Sequence, residues 1–112
     1  MYIERERERE REREVNIMNY AEMNKLAYML ACRLIPYEFT KHLNGPHLEY
    51  PNHKDCECSV ICNDVSYGHE DGLLEIMGLL TDEEEEFDDV KGWLTAEDVF
   101  ERISKDYFSQ KD

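Results

Sequence analysis

His53, Cys56, Cys58 and Cys62 fall within the ten residues "HKDCECSVIC", and all four are of types that bind zinc. A structural zinc site needs four such ligands converging at about 2.0–2.3 Å on one ion. The spacing opposes this. If Cys56 to Cys62 is a strand, its three cysteines share a face, yet Cys58 and Cys62 then stand about 13 Å apart at roughly 3.3 Å per residue. No C-x-x-C knuckle is present. A site drawn from His53, Cys56 and Cys58 with a distant fourth ligand such as His69 is the alternative. The preferred reading is structural thiols, because free cysteine is among the most often buried residue types. The expectation is therefore no metal and no cofactor.

A second group, Ser66, His69, Glu70 and Asp71, sits in "SYGHEDG". Catalytic triads need side chains converging from a rigid frame, which neighbours in one loop seldom provide. The segment reads as a connection between strands, with Gly68 and Gly72 supplying positive φ. No catalytic signature links the cysteines and histidines, so no enzyme is expected. A loop this long in a small domain is still a candidate contact surface, which nominates His69, Glu70 and Asp71. Phosphate-binding glycine patterns are absent. The acidic run lacks the ligand spacing and central glycine of an EF-hand.

That run is "TDEEEEFDDV". Asp82, Glu83, Glu84, Glu85, Glu86, Asp88 and Asp89 are interrupted only by Phe87. On a helix these eight positions cover about 12 Å, or a charge every 1.7 Å or so. B-DNA carries about one charge per 1.7 Å of axis, so the density permits nucleic-acid mimicry. The plainer reading is a solvated helix start, with Asp82 to Glu84 set favourably against the helix dipole.

Composition bounds the partners. The chain has 112 residues and a formal charge of −14. The "ERERERERERE" run from Glu4 to Glu14 holds six Glu and five Arg, so it accounts for only −1 and the remaining −13 lies elsewhere. Such a body repels nucleic acid and anionic membranes and attracts basic surfaces. No apolar run approaches the roughly 18 residues of a membrane span. The charged N-terminus is unlike a signal peptide, so a reducing cytoplasm is expected.

The elements that must position these groups follow from periodicity and turn chemistry. "NYAEMNKLAYMLACRLIP" begins with Asn19 and Glu22 in capping-box spacing, then repeats apolar residues at helical intervals until Pro36. "PYEFTKHL" reads as a second short helix closing at Asn44–Gly45. "HLEY", "CECSVIC" and "GLLEIMG" read as three strands of an antiparallel meander. Thr81 with Glu84, and Thr95 with Asp98, mark two helix starts. The fold class expected is α+β: N-terminal helices, a small three-stranded antiparallel sheet, and C-terminal helices packed on one face. Residues 1–17 read as a charged ER-repeat appendage and 18–112 as a single domain. The expected core is Leu26, Leu30, Leu34, Val60, Cys62, Leu74, Ile76, Leu80, Trp93, Val99, Phe100 and Ile103.

"MNYAEMNKLAYMLACRLIPYE", "YGHEDGLLEIMGLLTDEE" and "LTAEDVFERI" together resemble small uncharacterised proteins of bacterial phages and conjugative elements, over about Met18 to Tyr107. The resemblance implies a bacterial cytosolic accessory protein, in a setting where small inhibitors of host defence are common, and transfers no functional residue. The function expected is a non-enzymatic acidic protein-binding module. In its sharpest form it is a phage or mobile-element inhibitor that mimics nucleic acid at a basic surface of a CRISPR-type nuclease. The alternative is a structural or regulatory accessory protein whose acidity serves solubility. A third reading is a zinc- or thiol-dependent module.

Overall fold

The structure, a computed structural model, describes residues 20–42, 45–63 and 66–110. The expected appendage at 1–17 lies outside them, as does Asn19. The helix that begins at Ala21 has Tyr20 at its N-cap position, with no side-chain cap bond, which corrects the cap expected at Asn19. The fold is α+β, built on a five-stranded antiparallel sheet in sequence order β1 to β5. Two strands more than expected are present.

Helix α1 (Ala21–Cys32) buries Met23, Leu26, Ala27 and Leu30, the stripe its periodicity requires. It ends in a Schellman motif. The Ile35 N–H donates to the Leu30 carbonyl at 3.0 Å and the Leu34 N–H to that of Ala31 at 3.1 Å. Leu34 takes the left-handed position, φ 58°, where glycine is usual. It is 85% exposed, which corrects its placement in the core. Helical spacing continued one turn past the helix itself, and Ile35 is buried in its stead.

The second correction concerns "PYEFTKHL". Strand β1 (Glu38–His42) occupies it and pairs with β2 (Gly45–Tyr50), Phe39 opposite Leu48 and His42 opposite Gly45. Gly45, read as part of a helix stop, is instead the first residue of β2 at φ 113°, and Phe39 and Thr40 favour strand. Strand β3 (Cys58–Ile61) pairs with β2, and β4 (Leu74–Met77) with β3. Leu48, Tyr50, Cys58, Val60, Leu74 and Ile76 are buried, as period-two alternation against helices demands.

Strand β5 (Val90–Leu94) is the other unexpected strand. Two steps of β4, Leu74 to Ile76, match three steps of β5, Lys91 to Leu94, so β5 carries an extra residue. Trp93 lies in this bulge at φ 55° and is 60% exposed, against the expected core placement.

The two threonine caps form as expected. At α2 (Asp82–Phe87) the Thr81 hydroxyl accepts from Glu84 N–H, and Glu84 Oε1 accepts from Thr81 N–H. At α3 (Ala96–Gln110) Thr95 and Asp98 exchange the same pair of bonds. Glu22 also serves α3, its Oε2 accepting from Ala96 N–H at 2.6 Å, and Lys25 pairs with Glu97. Helices α1 and α3 pack together, and α3 lies against β4 and β5. Val99 and Ile103 are buried there, while Leu80 and Phe100 are only partly so. No helix among the described residues is long and apolar enough to cross a membrane.

Candidate protein-binding surface

The acidic run does not form one helix over its whole length. Only Asp82–Phe87 is helical, about 9 Å at 1.5 Å per residue. Asp88 leaves in extended conformation, φ −164° and ψ 161°, and its Oδ1 accepts the Asp89 N–H. Six of the seven acids, Asp82, Glu83, Glu85, Glu86, Asp88 and Asp89, are exposed. Among the described residues none of the six meets a Lys or Arg. Phe87 stands among them 92% exposed.

Glu84 is the exception. Both its oxygens accept from the Arg102 guanidinium at 2.7 Å, and Arg102 Nη1 also donates to the Leu79 carbonyl at 3.0 Å. The guanidinium and the Thr81 amide hold the Glu84 carboxyl down at about 2. Its charge is spent inside the fold, so of the candidate residues in the run it is the one least available to a partner.

His69, Glu70 and Asp71 form a single 3-10 turn between β3 and β4. Gly68 and Gly72 flank it at φ 93° and 70°, the role expected of them. The His69 Nδ1–H donates to the Ser66 carbonyl at 2.6 Å, and Ser66 is itself tied to Asn63. Among the described residues Glu70 and Asp71 are exposed and carry no ion pair.

Beside this turn the structure assembles something sequence reading missed. Tyr67 and Trp93 stack with centroids 5.4 Å apart and planes 19° from parallel. Their backbones interlock: the Trp93 N–H donates to the Tyr67 carbonyl, and a Cβ on Gly92 would fall 2.2 Å from that of Tyr67. The rings border a cleft of about 180 Å³ with Ser66, Gly68, His69, Glu70 and Asp71. Trp93, read as core, is its wall. Strand β5 joins the two features, running from Val90, next to Asp89, to the bulge at Trp93, about 10 Å along at roughly 3.3 Å per residue.

The cysteine and histidine group gathers elsewhere. His53 turns Nδ1 to the Glu49 carboxylate at 2.9 Å, and Thr40 donates to the same group. Cys56 precedes β3 and is exposed, while Cys58 and Cys62 are buried, so the three do not share one strand face. None of the four cysteines is in a disulfide. Burial, then the negative charge of Glu49, raises the Cys56 thiol, and burial pushes Cys58 up to about 12. A nucleophile needs the opposite shift. Among the described residues no three His, Cys, Asp or Glu side chains are placed to hold a metal ion. Compared with known proteins, the chain matches no family model, no curated protein and no solved structure.

Proposed function

We propose that this chain is a non-enzymatic acidic binding protein whose partner presents a basic surface. One observation carries the reading: six exposed carboxylates, unpaired with any Lys or Arg among the described residues, flank in sequence a Phe87 that is 92% exposed. A run kept only for solubility gains nothing from an exposed aromatic ring within it. A partner that neutralises the carboxylates has a use for one, since aromatic residues are enriched at interface cores. In its sharpest form the partner is a nucleic-acid enzyme of bacterial defence, of the CRISPR type, met in the cytoplasm. There Asp82, Glu83, Glu85, Glu86, Asp88 and Asp89 stand in for phosphates, and His69, Glu70 and Asp71 extend the contact along β5.

The test is capture from bacterial lysate on the immobilised full chain, at about 0.05 and 0.5 M salt, with and without added DNA. Nucleic-acid-binding proteins should be retained at low salt and released by either high salt or DNA. Retention indifferent to both would leave acidity as a solubility device.

A further inference from the structure

We propose that the cleft beside Tyr67 and Trp93 seats the guanidinium of an arginine side chain presented by the basic partner. The inference rests on the reading above and names the anchor it would use. An aromatic residue in left-handed backbone is a genuine outlier, and the ring so placed is largely solvent-exposed instead of filling the core. The surroundings over-determine that position. Glycine at 92 admits the Tyr67 backbone, glycine at 68 admits that of Trp93, and the Trp93 N–H bonds to Tyr67 O at 3.2 Å. The Tyr67 N–H in turn donates to Glu75, a buried carboxylate on β4, at 3.0 Å. The ring pair is thus seated on the sheet and presented to solvent.

The cleft's size and charge select the occupant. At about 180 Å³ it lies below the roughly 300 Å³ at which small-molecule pockets begin, and suits a single side-chain head. Trp offers the strongest π face for a cation. Glu70 and Asp71 line the same cleft, and His69 is held to Ser66 beside them. A guanidinium satisfies both kinds of wall, stacking flat on the indole while its N–H fork meets a carboxylate. An ammonium answers the charge without the stacking. A nucleobase answers the stacking, but its phosphate meets Glu70 and Asp71.

The experiment measures anisotropy of labelled hexa-arginine and hexa-lysine peptides on the full chain, with a single-stranded oligonucleotide as a third probe. Hexa-arginine should bind about threefold or more tighter than hexa-lysine. Trp93→Asn, a residue that tolerates left-handed backbone, should bring that ratio close to one. Glu70→Gln with Asp71→Asn, at exposed positions that keep the fold, should also weaken hexa-arginine more than hexa-lysine. Replacing Glu83, Glu85 and Glu86 by Gln should weaken both peptides alike and leave the ratio standing. A wild-type ratio near one, or one indifferent to Trp93→Asn and to the Glu70 and Asp71 pair, overturns the cleft while leaving the acidic reading intact. Trp93-dependent binding of the oligonucleotide overturns it in favour of base stacking. Peptide binding unaffected by either set of charge changes overturns both readings.

Discussion

Arg102 on α3 closes a two-pronged hydrogen bond on Glu84 of α2, each nitrogen 2.7 Å from its oxygen. The same carboxylate completes the cap of its own helix, and the same guanidinium holds the Leu79 carbonyl. Leu79 has a left-handed backbone, φ 54°, so Arg102 fixes the turn that delivers α2. One acid of the run is therefore a fastener. The others face solvent.

Glu84→Gln should accordingly destabilise the fold by about 1–3 kcal/mol, since it removes a charged, geometrically matched acceptor and leaves Arg102 half-satisfied. Urea denaturation would show it as a lower midpoint at unchanged slope. A stability equal to wild type would mean the pair is as weak as exposed ion pairs usually are.

The pH dependence follows with its sign. Glu84 titrates near 2 in the fold against 4.5 when unperturbed, chiefly through its bond to Arg102 and then that to the Thr81 amide. A depressed carboxyl favours the folded state while ionised. Its contribution is complete above about pH 4.5 and is lost as pH falls towards 2. The gap in melting temperature between wild type and Glu84→Gln should be constant from pH 7 to about 5 and narrow below that. A gap unchanged at pH 2.5 would contradict the assignment.

What was legible in the sequence was local. Thr81 with Glu84, and Thr95 with Asp98, could be read because a capping box is complete within four residues. The α1 stripe and the strands around Val60 and Ile76 were readable from period alone. Arg102 was not, because its partner lies 18 positions away and nothing in "VFERISK" announces it. Glu22 reads locally as part of its own helix start, yet it accepts from Ala96, 74 residues on. Strand β5 was hidden because its bulge breaks the alternation, and its Gly92 is explained only by Tyr67 across the gap. Misreading Gly45 had a different cause, since a glycine at positive φ suits a helix stop and the start of a strand alike.

Leu34→Gly should stabilise the protein by about 0.5–1 kcal/mol. The side chain is 85% exposed, so little packing is lost, and glycine removes the cost of left-handed backbone at the helix exit. Greater flexibility of the unfolded chain offsets part of that gain. Leu30→Ala, four residues earlier and fully buried, should instead cost about 2–5 kcal/mol. Thermal melts of the two variants should move in opposite directions.

The thiols offer a chemical test of the same architecture. An aromatic disulfide reagent at neutral pH should modify Cys32 and Cys56, the exposed pair, and leave Cys58 and Cys62 until the chain is unfolded. Cys56 should react slowly for an exposed thiol, because burial and Glu49 raise it and thin its thiolate population. Protection of Cys56 that vanishes on adding a chelator would point back to a metal at His53 and Cys56.

The acidic run should behave as two parts. Glu83, Glu85 and Glu86 are exposed and no Lys or Arg among the described residues pairs with them, so replacing all three by Gln leaves the Glu84–Arg102 fork untouched. Gln keeps helix propensity and shape, and easing self-repulsion should leave the melting temperature equal or slightly higher. Against a basic partner the same variant should associate more slowly by about tenfold at low salt, because steering follows charge and three charges are gone. The difference should shrink as salt shortens the screening length from about 30 Å at 0.01 M to 8 Å at 0.15 M. Dissociation should change less, since rim charges act mainly on encounter. Phe87→Ala should do the reverse, leaving association nearly unchanged and speeding dissociation, if the ring is buried by the partner. Stopped-flow association and surface-plasmon dissociation on the captured partner separate the two effects. Should the triple-Gln variant associate as fast as wild type at both salt concentrations, and Phe87→Ala dissociate no faster, α2 would be only a solvated helix, and the partner would have to be sought on another face.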